Sequence, residues 1–532
     1  MEKEYDFIIV GAGSAGCVLA NRLSADPQRT VLLIEAGGLD KSLILKMPAA
    51  FAYAINDPAF DWGYIGEPEP YIENRRLDCP RGKVVGGSSS INAMCFVRGH
   101  AGDYERWAAE TGFKTWSYDN CLPYFRKMEK FSGGGSDFRG NEGPLKVQAP
   151  VFSNPLNSVF AEACQESGYA WSADTNGENQ EGFGLMDQTI HAGMRMSASR
   201  AYLHPILHRP NLTLLCRTTV RRILFAKNEA NGVEVVCSGN VFKVTARHEV
   251  ILSAGAINSP KTLLLSGIGC NDQLKNSGIT VVHNAPGVGA NLQDHVNVNV
   301  QYECTRPVSA TPCLRLHRKL LLGLQWLLTK TGPGATNHFE VAGYIKSRND
   351  VVQPDLQLLF FPLLVGDDGK APRQRHGFQV AISQLRSRSR GTVRLLDSNP
   401  QSPPLILFNY LQDSQDLVEL RQGIEKTREI FNAPAFADYL GTEILPGPGI
   451  IDKSQTNDFI RKHLRSTKHP CGTCRMGNDS LAVVDEQGRV YGTRKLRVVD
   501  ASIMPSIPSG NINAPTMMMA EKIAEMITRH YS

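Results

Sequence analysis

The stretch DFIIVGAGSAG, residues 6–16, sets a glycine-rich turn directly after a short apolar run. Residues 17–23 follow with the apolar spacing of a helix, and a second apolar run, residues 30–34, ends at Glu35. This order of strand, glycine turn, helix, strand and acid predicts a βαβ unit that holds a dinucleotide. An ordinary glycine-rich turn is the alternative, but it does not account for the acid.

The three glycines and the acid have separate predicted roles. Gly11 permits the tight turn, Gly13 lets a pyrophosphate approach the backbone, and Gly16 lets helix and strand pack closely. Glu35 is placed to accept a hydrogen bond from a ribose hydroxyl, and its charge would repel a 2′-phosphate.

Composition limits the classes of function. A chain of 532 residues predicts one large domain or two closely packed ones. The 57 basic and 52 acidic residues give a net charge of only +5, which argues against a nucleic-acid partner. The 12 cysteines show no regular framework, which indicates a reducing compartment, and the N-terminal residues lack the apolar core of a leader peptide. The expected location is therefore the cytoplasm.

A second glycine-rich stretch, RGKVVGGSSSINAM, occupies residues 81–94. Small residues this dense cannot fill a core, so they predict a close approach of the backbone to a ligand. A flexible loop is the alternative.

Residues 315–330 are nearly continuously apolar and are flanked by basic side chains. This pattern is typical of a helix that rests on a membrane surface, but also of a buried or lid helix, which we favour because the apolar residues are not confined to one face. Peripheral contact with the inner membrane stays open as an alternative.

Two stretches near the C-terminus offer chemistry: residues 466–477, STKHPCGTCRMG, and residues 510–516, GNINAPT. His469 is the side chain best able to take a proton from an alcohol near neutral pH. The second stretch offers amides, which can hold a developing alkoxide, just before residues 516–527, which have helical spacing.

The same region contains a CxxC pair, Cys471 and Cys474. No second pair has metal spacing, and zinc needs four ligands or three and a water. We therefore predict no metal site.

The chain resembles the glucose–methanol–choline (GMC) family of flavoprotein oxidoreductases essentially from end to end. The family's two signatures are similar to residues 81–99 and to residues 255–269, which run from GAINSP to SGIG. Within the family, the chain is most similar to bacterial choline dehydrogenases and quinone-linked, FAD-dependent alcohol dehydrogenases. The resemblance implies an α/β (α+β) fold, with a Rossmann-like FAD-binding domain and a second, substrate-binding domain on a mostly antiparallel sheet.

The resemblance also implies how the domains divide the chain. The FAD-binding domain is expected from three separate segments, with a crossing into the substrate domain between the first two. The expected segments are 1–155, 201–299 and 466–532 for FAD, 156–200 for the crossing, and 300–465 for the substrate domain.

FAD is the implied cofactor, and Ile91 stands where some family members carry the histidine that bonds FAD covalently. We therefore expect non-covalent FAD. The residues that the resemblance assigns to FAD are Gly11, Gly13, Gly16, Glu35, Gly86, Gly87, Asn92, Met94, Val220 and Asp500.

The implied reaction is oxidation of a primary alcohol to an aldehyde by hydride transfer to flavin N5, with electrons passed on to a quinone or another acceptor. His469 and Asn513 match the family's catalytic pair. Asn511 is the alternative to Asn513 as the second catalytic residue. Glu340 matches a glutamate that faces the trimethylammonium group in choline-oxidising relatives, whereas Lys468 counts against a cationic substrate. Choline dehydrogenation proper, oxidation by O2 and a non-redox lyase reaction are the alternatives.

Overall fold

The computed structural model describes residues 4–55, 57–366 and 375–532, and two seven-stranded sheets organise them. The strands are β1 Glu4–Val10, β2 Val31–Ile34, β3 Tyr64–Ile65, β4 Asp78–Cys79, β5 Glu129–Phe131, β6 Leu145–Val147, β7 Gly182–Leu185, β8 Ile190–His191, β9 Met194–Arg195, β10 Leu212–Leu215, β11 Thr218–Ala226, β12 Glu229–Cys237, β13 Asn240–Leu252, β14 Ile268–Gly269, β15 His283–Asn284, β16 Val296–Cys304, β17 Val341–Ile345, β18 Leu356–Phe361, β19 Gly377–Gln384, β20 Thr392–Arg394, β21 Leu405–Leu407, β22 Leu440–Leu445, β23 Arg465–Ser466 and β24 Leu496–Val498.

Helices cover both sheets. They are α1 Ser14–Leu23, α2 Leu43–Lys46, α3 Phe51–Ile55, α4 Ala101–Thr111, α5 Tyr118–Met128, α6 Pro155–Glu166, α7 Gly255–Leu265, α8 Asn271–Asn276, α9 Leu316–Thr329, α10 Ser414–Phe431, α11 Lys453–His463 and α12 Asn513–His530.

The first sheet contains the predicted βαβ unit. Its order is β10-β2-β1-β13-β12-β11, and β24 also pairs with β13. The pairs among β10, β2, β1, β13 and β24 are parallel, whereas β11, β12 and β13 form an antiparallel ribbon. The parallel part, with α1 packed against β1 and β2 and α12 packed against α1, confirms the Rossmann-like domain.

The glycine turn after β1 is held by close backbone contact. Gly11 has a φ of +102°, and a Cβ atom on Gly16 would lie 1.9 Å from the Gly11 carbonyl oxygen. Only glycine fits at position 16, because any side chain would push α1 away from β1.

The second sheet is antiparallel throughout, in the order β22-β16-β19-β18-β17-β7, with β23 paired to β16. This confirms the expected fold of the second domain. Strand β7 of this sheet comes from residues 156–200, the segment expected to cross into the substrate domain. The expected domain boundary between residues 299 and 300 falls inside β16.

Side chains alternate across β16. The valines at 296, 298 and 300 pack into the core of the second domain, so the intervening Asn297, Asn299 and Gln301 lie on the other face of the sheet. That face is turned towards the large cavity described below.

Helix α9 forms where the sequence predicts one, but it is not buried. Leu316, Leu320 and Leu328 are 74%, 68% and 73% exposed, and only Trp326 is buried on this helix. The favoured expectation was a buried or lid helix; its exposure shows that the helix is not buried, and a lid stays a prediction. Within the described ranges, no helix is long and apolar enough to cross a membrane.

Candidate active site

A cavity of about 2350 Å³ lies between the two sheets. Its walls come from the glycine turn after β1, the glycine-rich loop at 81–94, residues 465–470, the start of α12 and the inner face of the second sheet. Most of the predicted site residues line it: Gly11, Gly13, Glu35, Gly87, Asn92, Met94, Val220, His469, Asp500 and Asn513.

Three predicted residues lie outside the cavity lining. Gly16 and Gly86 lie where the chain packs too closely for a side chain. A Cβ atom on Gly16 would lie 1.9 Å from the Gly11 carbonyl oxygen, and one on Gly86 would lie 2.1 Å from Ser90 Oγ. The third is Glu340, whose position is described below.

Glu35 is tied to the glycine turn. The amides of Ala12 and Gly37 donate to its two carboxylate oxygens at 3.0 and 2.8 Å. Burial raises the pKa of Glu35 to about 7, and the hydrogen bonds from the amides partly oppose that shift. Each carboxylate oxygen can accept a second bond, so Glu35 is still able to take a hydroxyl donor from the cavity.

The two glycine-rich segments touch backbone to backbone. A Cβ atom on Gly87 would lie 2.7 Å from Gly13 Cα, and one on Gly37 would lie 1.9 Å from the Lys83 carbonyl oxygen. This contact explains why residues 81–94 are small. It leaves a cradle of bare backbone in the cavity wall, as a pyrophosphate requires.

Asp500, which follows β24, also lies in the wall of the cavity. Its carboxylate accepts hydrogen bonds from Ser259 Oγ at 2.5 Å, from the Gly255 amide at 2.9 Å and from the Ser502 amide at 2.8 Å. Asp500 therefore joins the start of α7 to the β24 segment beside the cavity.

His469 lies on the cavity wall within a set of hydrogen bonds. Its backbone amide donates to Asp294 Oδ1 at 2.7 Å. Its ring Nδ1 lies 3.0 Å from both His295 Nδ1 and Thr467 Oγ1, and its Nε2 lies 3.1 Å from Asn511 Nδ2.

The tautomer of His469 follows from these partners. The Leu385 carbonyl oxygen lies 3.1 Å from His295 Nε2 and can only accept, so His295 Nε2 carries hydrogen and its Nδ1 carries a lone pair. His469 Nδ1 must then be the donor between the two rings. The lone pair of His469 is left on Nε2, where the Asn511 amide donates to it.

The electrostatic surroundings keep both rings neutral. Burial, together with His295, Arg81 and Lys468, lowers the pKa of His469 well below its ordinary value. Burial also lowers the pKa of His295 to about 4. His469 therefore presents an unprotonated nitrogen at neutral pH.

The two candidate asparagines differ in their partners. Asn511 contacts the imidazole of His469. Asn513 is the first residue of α12, and its side-chain oxygen Oδ1 accepts a hydrogen bond from Ser14 Oγ at 2.7 Å. The partner of Asn513 Nδ2 is the thioether of Met517 at 3.7 Å, a weak acceptor. Helix α12 also begins earlier than the predicted start at residue 516.

The structure does not bring Glu340 to the cavity, which corrects the expectation that it meets the substrate. Its carboxylate accepts from the Ser153 amide at 2.7 Å, from the Ser153 hydroxyl and from Asn157 Nδ2 at 2.6 Å. Glu340 is fully buried and ties the segment before α6 to the sheet.

Sequence reasoning missed the inner face of the second sheet, here called the roof. The signal was the alternation VNVNVQ at residues 296–301, which puts amides on one face and valines on the other. The polar side chains of the roof that line the cavity are Asn297, Asn299, Gln357, Gln379, Ser383 and Arg465.

The CxxC pair has no metal-site geometry. Cys471 and Cys474 are buried as free thiols, and burial raises the pKa of each. In the part of the chain that the structure describes, no group of three or more His, Cys, Asp or Glu residues is placed to hold a metal ion.

Models of the N-terminal and C-terminal parts of GMC oxidoreductases match residues 5–297 and 387–520. The chain belongs to the GMC oxidoreductase family. Its relatives include oxygen-dependent choline dehydrogenases of Brucella anthropi, 48% identical over 98% of this chain and 95% of the relative, and of Chromohalobacter salexigens, 47% identical over the same shares.

Solved structures of other family members have the same fold. Pyridoxine 4-oxidase from Mesorbium loti is 32% identical, with a TM-score of 0.91 over 99% of this chain and 100% of that one. An R554K variant of Aspergillus oryzae formate oxidase is 26% identical, with a TM-score of 0.93 over 100% and 99%.

FAD is the cofactor of this GMC oxidoreductase, and the cavity fits it. The bare backbone at Gly13 and Gly87 suits the pyrophosphate, and Glu35 suits the ribose. Ile91 is buried beside the cavity and has no group that could bond covalently to the flavin.

We predict that Glu35→Gln weakens FAD binding about tenfold, because a carboxamide must turn its NH2 group towards either the Ala12 or the Gly37 amide and leave that donor unpaired. The measurement is the dissociation constant of FAD for the deflavinated protein. Glu4→Gln, on the exposed start of β1, is the matched control and should bind FAD as the wild type does. Equal affinity of both variants would contradict the role of Glu35.

Proposed function

We propose that this GMC oxidoreductase oxidises a primary alcohol to an aldehyde, with His469 as the base and a quinone or similar molecule as the final electron acceptor. The observation that carries the proposal is the run of contacts from the Leu385 carbonyl oxygen through His295 to His469, from which we infer a lone pair on His469 Nε2. It lies on the wall of the cavity and is fixed there by His295, and the imidazole is neutral. A positioned base of this kind typically contributes about 10²–10⁴-fold to the rate.

The chain's own residues provide the proton transfer. The substrate hydroxyl gives its proton to His469 Nε2, displacing the Asn511 amide, which turns to the alcohol oxygen. Asn513 Nδ2 leaves the weakly accepting Met517 thioether and donates to the same oxygen. Bound FAD supplies the acceptor for the hydride that leaves the carbinol carbon.

Positive potential favours the alkoxide. Lys468 and His469 both line the cavity, and the N-terminal end of α12, which begins at Asn513, also faces it. A helix N-terminus carries about half a positive charge. Lys468 and the start of α12 therefore stabilise a negative charge that develops on the substrate oxygen, while the proton rests on His469 Nε2.

Choline oxidation is the second candidate, because the relatives described above are named choline dehydrogenases. The site supports it less well. Lys468 would repel a quaternary ammonium, and the carboxylate of Glu340 is bonded away from the cavity. We therefore place a neutral alcohol ahead of choline.

Anaerobic mixing with a panel of alcohols, choline included, tests the function. We expect loss of the oxidised-flavin absorbance, and we expect His469→Gln to slow that loss by about 10²–10⁴-fold, because its side chain is not basic. His208→Gln, at an exposed histidine, should react as the wild type does. Product formed without any spectral change would favour a lyase, and bleaching at the normal rate in His469→Gln would show that another group is the base.

The pH dependence of kcat/KM should report the electrostatics around His469. Activity requires the unprotonated imidazole, so it is lost only as the pH falls through the depressed pKa of His469. Lys468→Met removes a positive charge that lowers this pKa, and the acid limb should therefore move to higher pH. Lys468→Arg keeps the charge and should leave the limb in place. An acid limb that is the same in all three proteins would show that Lys468 does not act on the base.

We also propose that α9 rests on an anionic membrane surface, which would bring a lipid-soluble quinone to the cavity. The helix has exposed leucines. It also carries Lys319, Leu322 and Gly323, which line the cavity. Between Glu303 and Glu340 the chain carries no carboxylate side chain. The same stretch carries five cationic side chains: Arg306, Arg315, Arg318, Lys319 and Lys330. Exposed leucines with basic neighbours are the pattern of an interfacial helix.

Cosedimentation with phosphatidylglycerol vesicles tests this surface. The double variant Leu320→Glu with Leu328→Glu should bind at least about tenfold more weakly than the wild type, because both side chains lose their apolar burial. Val352→Glu, at a position 86% exposed outside α9, is the control and should bind normally. Equal vesicle binding by all three proteins, or none by the wild type, would contradict the assignment.

A further inference from the structure

Arg195 is a buried cation that lacks an anionic partner. It lies on β9 and is 1% exposed. The other buried arginines of the described ranges each form an ion pair with a carboxylate; they are Arg29, Arg98, Arg139 and Arg497. No described carboxylate forms such a pair with Arg195, and burial lowers its pKa to about 9. The guanidinium therefore stays protonated at neutral pH, and its charge is not balanced.

The two buried lysines of the described ranges have acidic groups near them. Burial lowers the pKa of Lys261 to about 8, and Asp397 opposes that shift. Burial also lowers the pKa of Lys522, and Glu525 is among the groups that oppose it. Arg195 has no such group. An unpaired charge in the interior is strongly unfavourable, so we expect a bound anion to balance it.

The guanidinium of Arg195 holds the glycine-rich loop from behind the cavity wall. Its Nε donates to the Leu45 carbonyl oxygen at 2.9 Å. Its Nη1 donates to the carbonyl oxygens of Ser89 and Asn92 at 3.2 and 2.6 Å, and to Asn92 Oδ1 at 2.8 Å. All these acceptors are neutral, so they take up hydrogens without balancing the charge. Asn92 lines the cavity, whereas Arg195 does not, so Arg195 acts on a ligand through its charge and through Asn92.

Arg195 fixes which end of the Asn92 side chain is free for a ligand. Asn92 Oδ1 accepts from Arg195 Nη1 at 2.8 Å and from the Met94 amide at 3.0 Å. Both partners are donors, so the oxygen must take this position and the NH2 group the other. The NH2 group has no partner in the described ranges and, unlike Arg195 Nη2, is not shut off from solvent. Asn92 therefore offers an N–H donor to the cavity.

Asn92 lies between the cofactor cradle and the base. It follows the cradle residue Gly87 by a few positions in the same loop. Ala93, beside it, packs against the cluster that contains Leu385, whose carbonyl oxygen orients His295. In FAD the flavin follows the pyrophosphate, so a pyrophosphate in the cradle brings the flavin towards Asn92 and the base.

The charge of the flavin changes on reduction. A hydride brings two electrons and one proton, so its transfer adds one negative charge to the flavin. In the low-dielectric interior a cation stabilises such a charge over several ångströms, and salt screens the interaction little. A buried cation near the flavin therefore favours the reduced form over the oxidised one, which raises the reduction potential.

We propose that Arg195 is a positioning residue for the flavin: it turns the NH2 group of Asn92 into the cavity as a donor, and its charge raises the reduction potential of bound FAD. The assignment depends on FAD as the cofactor and not on the alcohol oxidation proposed above.

The test is the midpoint potential of the FAD-bound protein, measured during slow anaerobic reduction with a dye of known potential. Arg195→Met removes the charge, and it should weaken the binding of reduced FAD about tenfold more than that of oxidised FAD. For a two-electron couple this difference lowers the potential by about 30 mV. Arg195→Lys keeps the charge and should leave the potential close to that of the wild type.

A purely structural arginine would give a different result. Its loss would loosen the loop, lower the unfolding temperature and weaken the binding of both redox states equally, with the potential unchanged. That outcome would overturn the proposal. Equal lowering of the potential in Arg195→Met and Arg195→Lys would overturn it as well, because the charge would then not be responsible.

Asn92→Asp provides a second test that keeps the guanidinium in place. The aspartate retains the oxygen that accepts from Arg195 and from the Met94 amide, but it replaces the NH2 donor and neutralises the cation. We expect the potential to fall at least as far as in Arg195→Met, and an unchanged potential would refute the proposal. This variant decides the matter if Arg195→Met does not retain FAD. Both measurements proceed without any alcohol, so they hold or fail independently of the role of His469.

Discussion

The chemistry of this site depends on one hydrogen-bond chain, which runs from the Leu385 carbonyl oxygen through His295 to His469. A backbone carbonyl cannot donate, so it fixes where each ring carries its hydrogen. The result is a lone pair on Nε2 of His469, at the cavity wall. Burial, His295 and the nearby cations Arg81 and Lys468 lower the pKa of His469, so that nitrogen is unprotonated at neutral pH.

The scaffold brings His469 into the same cavity as a cradle made largely of backbone. The glycine turn after β1 and the loop at 81–94 touch at Gly13 and Gly87, which leaves no room for side chains between them. Glu35 and Asp500 hold the edges of the cradle through backbone amides. The FAD-binding domain with the first sheet thus supplies one side of the cavity, and the antiparallel second sheet supplies the other.

Local patterns in the sequence were sufficient to predict the βαβ unit, since glycine spacing and strand periodicity act over short distances, and the predicted cradle residues Gly13 and Gly87 and the predicted His469 line one cavity. Contacts between distant segments were not predictable in this way. The carboxylate of Glu340 accepts hydrogen bonds from Ser153 and Asn157, far away in the chain. The leucines of α9 are exposed because no other element within the described ranges covers them. The contact of Asn511 with the imidazole depends on where α12 begins, which spacing alone did not decide. The alternation at residues 296–301 was visible in the sequence, but its meaning required the register of β16 against β19.

The central claim is that His469 is neutral and carries its only ring hydrogen on Nδ1, and neutron diffraction from deuterated crystals of the FAD-bound protein at neutral pH tests it most directly. We expect nuclear density for deuterium on His469 Nδ1 and on His295 Nε2, with none on His469 Nε2. Deuterium on His469 Nε2, alone or together with Nδ1, would contradict it, because that nitrogen could then not accept the proton of an alcohol.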